Sequence, residues 1–289
     1  MFSKSYPVLY TSIQSQSIAY IDIGPKDGPC LLFVHGLGSN ALCWLKNIEA
    51  LSQRYRCIAP DLPGYGGSVS DNNISGIVEY ADLLIQFISN VKASDTVLVG
   101  HSMGAQIGIH MYLRDKECLR GLVLIAPAGF ETFNESEKFM LQSMNRPDLV
   151  QNLGSEQINQ AFQANFKKLS PDMKFMIQDR IDLMADSKSY KKYLDLVSTN
   201  VQSMLNNPIF KELDEIAIPT LIIFGADDYL IPNRMLHPMD STSQLAEKGR
   251  AKIANSSLEM IADAGHFVQW EQAEKVNVVI ESWASKFIA

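Results

Sequence analysis

The segment Gly100-His101-Ser102-Met103-Gly104 is the most informative part of this chain. It follows the apolar run Thr96-Val97-Leu98-Val99 and precedes a helix-like stretch over residues 105–111. A Gly-x-Ser-x-Gly pattern between a strand and a helix holds its serine on a sharp, strained turn. Glycine is needed on both sides because Cβ atoms there would collide with the neighbouring strand and helix. We expect Ser102 at the edge of a sheet, beside the positive end of a helix that favours an oxyanion.

Outward from this turn, short apolar runs alternate with helix-like stretches. The predicted strands cover residues 8–13, 18–23, 31–34, 56–59, 96–99, 121–125, 220–224 and 258–261. The first two are expected to pair antiparallel, and helices over residues 74–91 and 276–287 are expected to cover the sheet. This alternation predicts an α/β fold with a mostly parallel, eight-stranded sheet and helices on both faces.

The alternation stops after the sixth strand. From about residue 130 to residue 216 the sequence has helix-like patterning and no convincing strand. We therefore expect a core formed by residues 1–129 and 217–289, with residues 130–216 as a helical insertion. No long flexible linker flanks the insertion, so it is expected to pack on the core. Residues 229–252 also look helical, although Pro238 should interrupt a helix there.

Two further segments accompany the serine turn. They are Leu31-Leu32-Phe33-Val34-His35-Gly36-Leu37-Gly38 and Asp61-Leu62-Pro63-Gly64-Tyr65-Gly66-Gly67-Ser68. With these, nearly the whole chain resembles the α/β-hydrolase superfamily. The resemblance implies an oxyanion hole formed by the backbone N–H groups of Leu37 and Met103. It also implies that His35 braces its loop and that His101 packs or hydrogen-bonds locally.

The base and the acid are expected late in the chain, because the catalytic residues of this fold occur in the order nucleophile, acid, histidine. His266, in Asp263-Ala264-Gly265-His266-Phe267, follows the last predicted strand. The segment after residue 224 is similar to the family's G-x-x-D-x-x-x-P pattern, which selects Asp228 as the acid. Asp227 is the alternative, with the roles of the two aspartates reversed, and Glu131 after the sixth strand is a more distant one.

A serine at this turn implies acyl transfer, since other branches of the superfamily place an aspartate there. The chain is interpreted as a carboxylesterase-like or lipase-like serine hydrolase that forms an acyl-enzyme with a small substrate. A carbon–carbon bond hydrolase of ring-cleavage products is an alternative, although Gly36-Leu37-Gly38 departs from that group's usual Gly-Pro-Gly. Lactonases, amidases, acyltransferases and cofactor-free peroxidases share the same segments. A ligand-binding receptor is the non-enzymatic alternative, and the intact triad argues against it.

The insertion lies where this family usually carries a cap over the nucleophile. Its aromatic and methionine residues are candidates for pocket walls: Phe130, Phe133, Phe139, Met140, Met144, Phe162 and Phe166. Each could instead belong to the core of the cap, because such residues at helical spacing more often pack internally. As a group they predict an apolar pocket and a largely apolar substrate.

Composition limits the partners. The formal charge is −7, which argues against a nucleic-acid-binding surface. There is no signal-peptide pattern and no run near the ~20 apolar residues of a membrane span, so a cytoplasmic protein is expected. The four cysteines are expected to be reduced core thiols, with disulfides as the alternative. No metal-ligand spacing occurs, and the expected chemistry requires neither cofactor nor metal. The partner is a small-molecule substrate, and the sequence leaves the oligomeric state open.

Overall fold

The computed structural model describes residues 6–14, 16–68 and 76–288. The N-terminal segment without a signal-peptide pattern includes residues 1–5, which lie outside the described residues. So does the start of the helix expected from residue 74. Within the described residues, no helix is both long enough and apolar enough to span a membrane.

The described strands form one sheet in the order β1-β2-β4-β3-β5-β6-β7-β8. Their bounds are β1 Val8–Ile13, β2 Gln16–Ile23, β3 Cys30–Val34, β4 Arg56–Pro60, β5 Thr96–His101, β6 Gly121–Ile125, β7 Thr220–Gly225 and β8 Ser256–Ile261. Strand β2 pairs antiparallel with both β1 and β4, and every pair from β4 to β8 is parallel. The predicted fold is confirmed.

Helices cover both faces of the sheet because its central strands are apolar on both sides. The α-helices are α1 Leu45–Leu51, α2 Ile77–Asn90, α3 Met103–Arg114, α4 Glu135–Met144, α5 Pro147–Val150, α6 Ser155–Gln163, α7 Lys174–Met184, α8 Ser187–Asn206, α9 Thr242–Lys252, α10 Val268–Glu271 and α11 Ala273–Ala284. In β3, Leu32 and Val34 belong to the core with α2 and α3, whereas Leu31 and Phe33 belong to the core with α1 and α11. This alternation follows from the two-residue period of a strand.

Between β6 and β7 the described structure is helical, from α4 to α8, and it packs on the core. The Asn200 amide of α8 donates to the Tyr65 hydroxyl at 2.9 Å. The backbone N–H of Ile77 donates to the Ser203 hydroxyl at 3.0 Å. The Gln106 amide of α3 donates to the carbonyl of Asn207 at 2.9 Å. These bonds join the C-terminal end of α8 to the loop after β4, to the start of α2 and to α3, the helix that follows Ser102. The division into domains at residues 130 and 216 stays a prediction.

The expected helix over residues 229–252 is wrong in its first half. Residues 229–241 form turns, and helix α9 begins only at Thr242. Arg234 stabilises these turns by donating to the carbonyls of Asp228 and Asp240. The break at Pro238 therefore falls in a loop that is held by side chains.

All four cysteines are free thiols, as expected. Cys30, Cys43 and Cys57 are buried, and Cys118 is half-buried. Burial raises the pKa of the Cys30, Cys43 and Cys118 thiols to about 12. They are protonated at neutral pH and serve as small apolar side chains.

Candidate active site

Ser102 occupies a strained turn between β5 and α3. Its backbone angles are φ 53° and ψ −116°, outside the regions that L-residues favour. The turn is held by the bond from the Ser102 N–H to the carbonyl of Ile125 on β6, at 2.9 Å. A Cβ at Gly104 would lie 2.2 Å from the carbonyl oxygen of Val34. Only glycine therefore lets α3 begin so close to β3, and this close packing fixes the position of Ser102.

The loop after β3 lies directly against this turn. A Cβ at Gly36 would lie 3.2 Å from the Ser102 Cβ and 3.0 Å from the His101 Nδ1. The Ser39 N–H donates to the Gly36 carbonyl at 3.3 Å and closes a tight turn around Leu37. Leu37 and Met103 therefore lie in the two backbone segments that meet at Ser102.

His35 braces this loop. Its Nε2 accepts the N–H of Leu62 at 3.0 Å, so the ring proton lies on Nδ1 and is donated to the Gly36 carbonyl at 2.9 Å. Burial lowers the pKa of His35 to about 4, although the bond to Gly36 opposes this. The ring is neutral, and both of its nitrogens are used in holding the loop.

His266 and Asp228 form a buried hydrogen-bonded pair. The His266 Nδ1 donates to the Asp228 Oδ2 at 2.8 Å, and the Asp228 side chain is fully buried. The second carboxylate oxygen accepts the N–H groups of Leu230 and Ile231 at 2.8 and 3.1 Å. Asp228 therefore fixes the ring proton on Nδ1 and leaves Nε2 free to accept a proton. Asp227 points elsewhere and pairs with Lys167 at 2.9 Å.

His101 joins the histidine loop to the serine turn. Its Nε2 donates to the backbone carbonyl of His266 at 2.9 Å, and the two ring centroids are 4.7 Å apart. His101 was expected to pack or to hydrogen-bond locally: it is buried and packs against Phe267, but its hydrogen-bond acceptor lies 165 residues away in the chain. Burial, aided by the neighbouring His266, holds the pKa of His101 well below its ordinary value. A neutral His101, which precedes Ser102 in the chain, thus connects the backbone of His266 to the serine turn.

The helical segment between β6 and β7 also contacts the loop that carries His266. The His266 N–H donates to the Asn165 carbonyl at 2.8 Å. The Glu271 carboxylate accepts the N–H of Gly265 at 2.7 Å and that of Lys168 at 3.0 Å. Burial raises the pKa of Glu271, although these N–H donors oppose the rise. Sequence patterns gave no signal for Glu271, because its two partners belong to segments that meet only in the folded chain.

Comparison with known proteins identifies the family of this chain. The profile of the alpha/beta hydrolase family matches residues 31–279. The chain belongs to the alpha/beta hydrolase family. The predicted resemblance is confirmed, and with it membership of a family of hydrolases.

Individual relatives of this alpha/beta hydrolase differ in activity. It is 42% identical over 94 residues to the magnesium-chelatase 30 kDa subunit of Rhodobacter capsulatus, a match to about a third of each protein. It is 26% identical to a 2-hydroxy-6-oxononadienedioate/2-hydroxy-6-oxononatrienedioate hydrolase of Burkholderia vietnamiensis, over 91% of this chain and 89% of that one.

Solved structures share the fold at lower identity. An esterase from Exiguobacterium antarcticum superposes with a TM-score of 0.78 at 21% identity, over 96% of this chain and 98% of that one. An alpha/beta hydrolase enzyme from a Medee basin deep-sea metagenome library gives a TM-score of 0.77 at 18% identity, over 96% and 97%. Both likenesses concern the fold.

The candidate pocket residues of this alpha/beta hydrolase lie in different places. The prediction that Phe130 lines a pocket is wrong. Its side chain is 1% exposed and packs in the core against Phe224 and Gly249, because β6 is followed by a turn beneath α9. Met140 is 40% exposed on α4. Phe139 and Met144 are exposed. The rings of Phe162 and Phe166 lie 6.2 and 5.0 Å from the ring centroid of Phe267, next to His266, and are the best placed of the seven.

Phe133 and Glu131 lie together beside the loop that follows β7. The Phe133 ring stacks on His237 with centroids 5.6 Å apart. The Glu131 carboxylate accepts from His237 and from the N–H of Asn233. Glu131, the distant alternative for the catalytic acid, thus bonds to His237, and it is Asp228 that bonds to His266.

Proposed function

We propose that this alpha/beta hydrolase is a serine hydrolase that cleaves an ester of a small, largely apolar substrate through an acyl-enzyme. Ser102 is the nucleophile, His266 the general base and Asp228 the acid that orients it. One observation carries this proposal: the buried Asp228–His266 hydrogen bond, held beside the serine turn by His101.

The mechanism follows from the proton positions. With the His266 Nδ1 proton bound to Asp228, Nε2 can accept the hydroxyl proton of Ser102 as its oxygen attacks the ester carbonyl. The tetrahedral intermediate collapses as the imidazolium gives that proton to the leaving alcohol. A water molecule, activated by the same nitrogen, then hydrolyses the acyl-enzyme and restores Ser102. Asp228 stays ionised throughout and stabilises the imidazolium.

The oxyanion of the intermediate would be bound by the N–H groups of Leu37 and Met103. Loss of one such donor from a comparable site costs about 3 to 4 kcal/mol of transition-state stabilisation. The contacts of Gly36 with Ser102 and of Gly104 with β3 support this assignment, because they bring both backbone segments to the same serine.

Carbon–carbon bond hydrolysis is the second candidate. The likeness to the 2-hydroxy-6-oxononadienedioate/2-hydroxy-6-oxononatrienedioate hydrolase, over most of both chains, favours it. The same three residues would serve this reaction. The Gly36-Leu37-Gly38 segment lacks the central proline expected of that group. For this reason ester hydrolysis remains the preferred candidate.

The first experiment compares the wild type with Ser102→Ala on 4-nitrophenyl esters from acetate to octanoate. We expect kcat to fall by about 10⁴-fold or more in Ser102→Ala, because covalent catalysis is lost. Ser285→Ala, at the end of α11, is the matched control and should keep wild-type rates. A rate maximum at butyrate or longer would support an apolar pocket, and fastest turnover of acetate would contradict it.

An inactive wild type would reject ester hydrolysis. The second candidate would then be tested with a 2-hydroxy-6-oxodienoate, whose cleavage is followed by the loss of its absorbance. Turnover that depends on Ser102 would establish the carbon–carbon reaction.

A further inference from the structure

Arg180 on α7 extends over the loop that carries the proposed oxyanion hole. Its Nη2 donates to the backbone carbonyl of Gly38. Within the described residues, no carboxylate lies at ion-pairing distance from its guanidinium. Most other described arginines do have such a partner: Arg54, Arg56, Arg114, Arg120, Arg146 and Arg250. Arg180 therefore brings a positive charge to the site, and some of its N–H groups remain available to donate hydrogen bonds to a ligand.

The surroundings of this charge are aromatic. The guanidinium carbon lies 5.1 Å from the ring centroid of Tyr193 and 5.8 Å from that of Phe162. Aromatic faces attract a cation and exclude water from one side of it. A partly desolvated charge attracts an anion more strongly than a charge in bulk water does. The two rings thus hold Arg180 ready for an anionic ligand.

Tyr193 supplies a second donor. Its hydroxyl oxygen is buried and makes no hydrogen bond among the described residues. A buried hydroxyl without a partner costs free energy, which a bound ligand can recover. Burial raises the pKa of Tyr193, although the charge of Arg180 opposes the rise, so the hydroxyl keeps its proton. A Cβ placed on Gly38 would lie 2.7 Å from both the Arg180 Nη2 and the Tyr193 Oη, so the two groups converge on one point.

The point where Arg180 and Tyr193 converge is close to the place where Ser102 would attack the substrate carbonyl. The turn from Gly36 to Ser39 brings its two ends within about 7 Å of each other. Gly36 contacts Ser102, and Gly38 contacts Arg180. An extended substrate held at Ser102 can therefore reach the guanidinium with a group a few bonds away from its ester.

We propose that Arg180 and Tyr193 form an anion subsite that binds a carboxylate of the substrate. The substrate is then a half-ester of a dicarboxylic acid, or an ester whose alcohol half carries a carboxylate, with an apolar connecting part. This inference deepens the proposed ester hydrolysis and rests on it.

The test compares esters that differ only in charge. For the acyl half, the probes are mono(4-nitrophenyl) adipate and the 4-nitrophenyl ester of adipic monoamide. For the alcohol half, they are 4-carboxyphenyl and 4-carbamoylphenyl hexanoate. The carboxamide has the shape of the carboxylate without its charge. In one of the two pairs we expect wild-type kcat/KM to favour the carboxylate, and Arg180→Met to lower that preference by about 10- to 100-fold.

Arg146→Met is the matched control. It removes the same charge from the cap, but at an exposed residue that pairs with Asp148. It should change the preference by less than about twofold. Equal preferences in the wild type and Arg180→Met, for both pairs of probes, would overturn the subsite and assign to Arg180 only the bracing of Gly38.

Failure of the subsite and failure of ester hydrolysis are distinguishable. If no probe is turned over, the proposed reaction fails, and the subsite is tested by calorimetric titration of adipate and of 4-hydroxybenzoate into the wild type and Arg180→Met. Tenfold weaker binding of either acid to the variant would support the subsite. Affinities that are the same in both proteins, or no binding of either acid, would overturn it.

Discussion

Two adjacent carboxylates of this chain have different surroundings. Asp228 is fully enclosed and is bound by His266 and by two backbone N–H groups. Asp227 is partly exposed and pairs with Lys167, which lies between β6 and β7. The difference arises because the chain turns sharply after β7, so that successive side chains point to opposite sides. Only one of the two can orient the imidazole.

We therefore predict different effects of the two Asp→Asn substitutions on ester hydrolysis. Asp228→Asn should lower kcat by about 10⁴-fold, because an amide at this position no longer fixes the ring proton on Nδ1. Asp227→Asn removes the same charge one residue away and should lower kcat by less than about tenfold, because its ion pair is partly exposed. The measurement is kcat at saturating ester. Similar losses in the two variants would reject Asp228 as the orienting acid.

At the scale of elements, the loop between β7 and α9 carries Asp228 and contacts the segment that follows β6. Its His237 contacts the carboxylates of Glu131 and Glu137 in that segment. Partial burial alone would lower the pKa of His237, but the bond and charge of Glu131, with Glu137, raise it above its ordinary value. His110 on α3 shows the opposite shift, since burial lowers its pKa despite the carbonyl of Asn207.

These shifts predict opposite pH dependences of stability. The raised pKa of His237 means that its contribution is fully present below its unfolded pKa of about 6.5, and is lost as pH rises through the folded value. The lowered pKa of His110 means that its contribution is present above about 6.5, and is lost as pH falls through the folded value. The stability difference between wild type and His237→Gln should therefore be larger at about pH 6 than at about pH 9.

The two variants serve as controls for each other. For His110→Gln, the difference from the wild type should instead be larger at about pH 9. Free energies of unfolding from urea titrations at both pH values measure these differences. A difference for His237→Gln that does not change with pH would show that its ion pairs contribute nothing to stability.

At the scale of the molecule, one buried ion pair joins the antiparallel edge of the sheet to its parallel centre. Arg56 at the start of β4 binds both carboxylate oxygens of Asp22 on β2, at 3.1 and 2.9 Å. It also donates to the carbonyls of Val91 and Lys92 after α2. Although burial opposes it, Arg56 and Lys26 hold the pKa of Asp22 below its ordinary value. Three parts of the fold thus depend on one side chain.

Arg56→Met should lower the free energy of unfolding by about 3 kcal/mol, because it leaves the buried Asp22 without its main partner. The double variant Asp22→Asn with Arg56→Met should recover part of this loss, since the uncompensated charge is removed as well. Arg120→Met, which breaks an exposed pair with Asp95, is the control and should cost less than about 1 kcal/mol. Urea unfolding of the wild type and the three variants measures these free energies. A loss of less than about 1 kcal/mol for Arg56→Met would contradict the prediction.

The sequence by itself determined the fold and the serine turn. Strands and helices are formed by residues that are close together in the chain, and their periods of two and 3.6 residues can be read from the spacing of apolar residues. For this reason all eight strands were predicted to within two residues at either end. Gly100 is likewise needed for a local steric reason, because a Cβ there would lie 2.6 Å from the backbone of Gly104 and Ala105, whereas Gly104 is needed because α3 packs on β3. Gly225 and Pro232 could align Asp228 with a family pattern, because the three residues are close together in the chain.

Only the tertiary structure decided which distant groups meet. Three contacts join segments that are separated in the chain by several strands or helices: the bond of His101 to His266, the bond of Glu271 to the N–H of Lys168, and the bond of Arg180 to Gly38. Phe130 looked like a pocket residue from its place in the chain, yet it lies in the core. The physical reason is that the path of the chain between β6 and β7 depends on how its helices pack on one another and on the core. No local period encodes that packing.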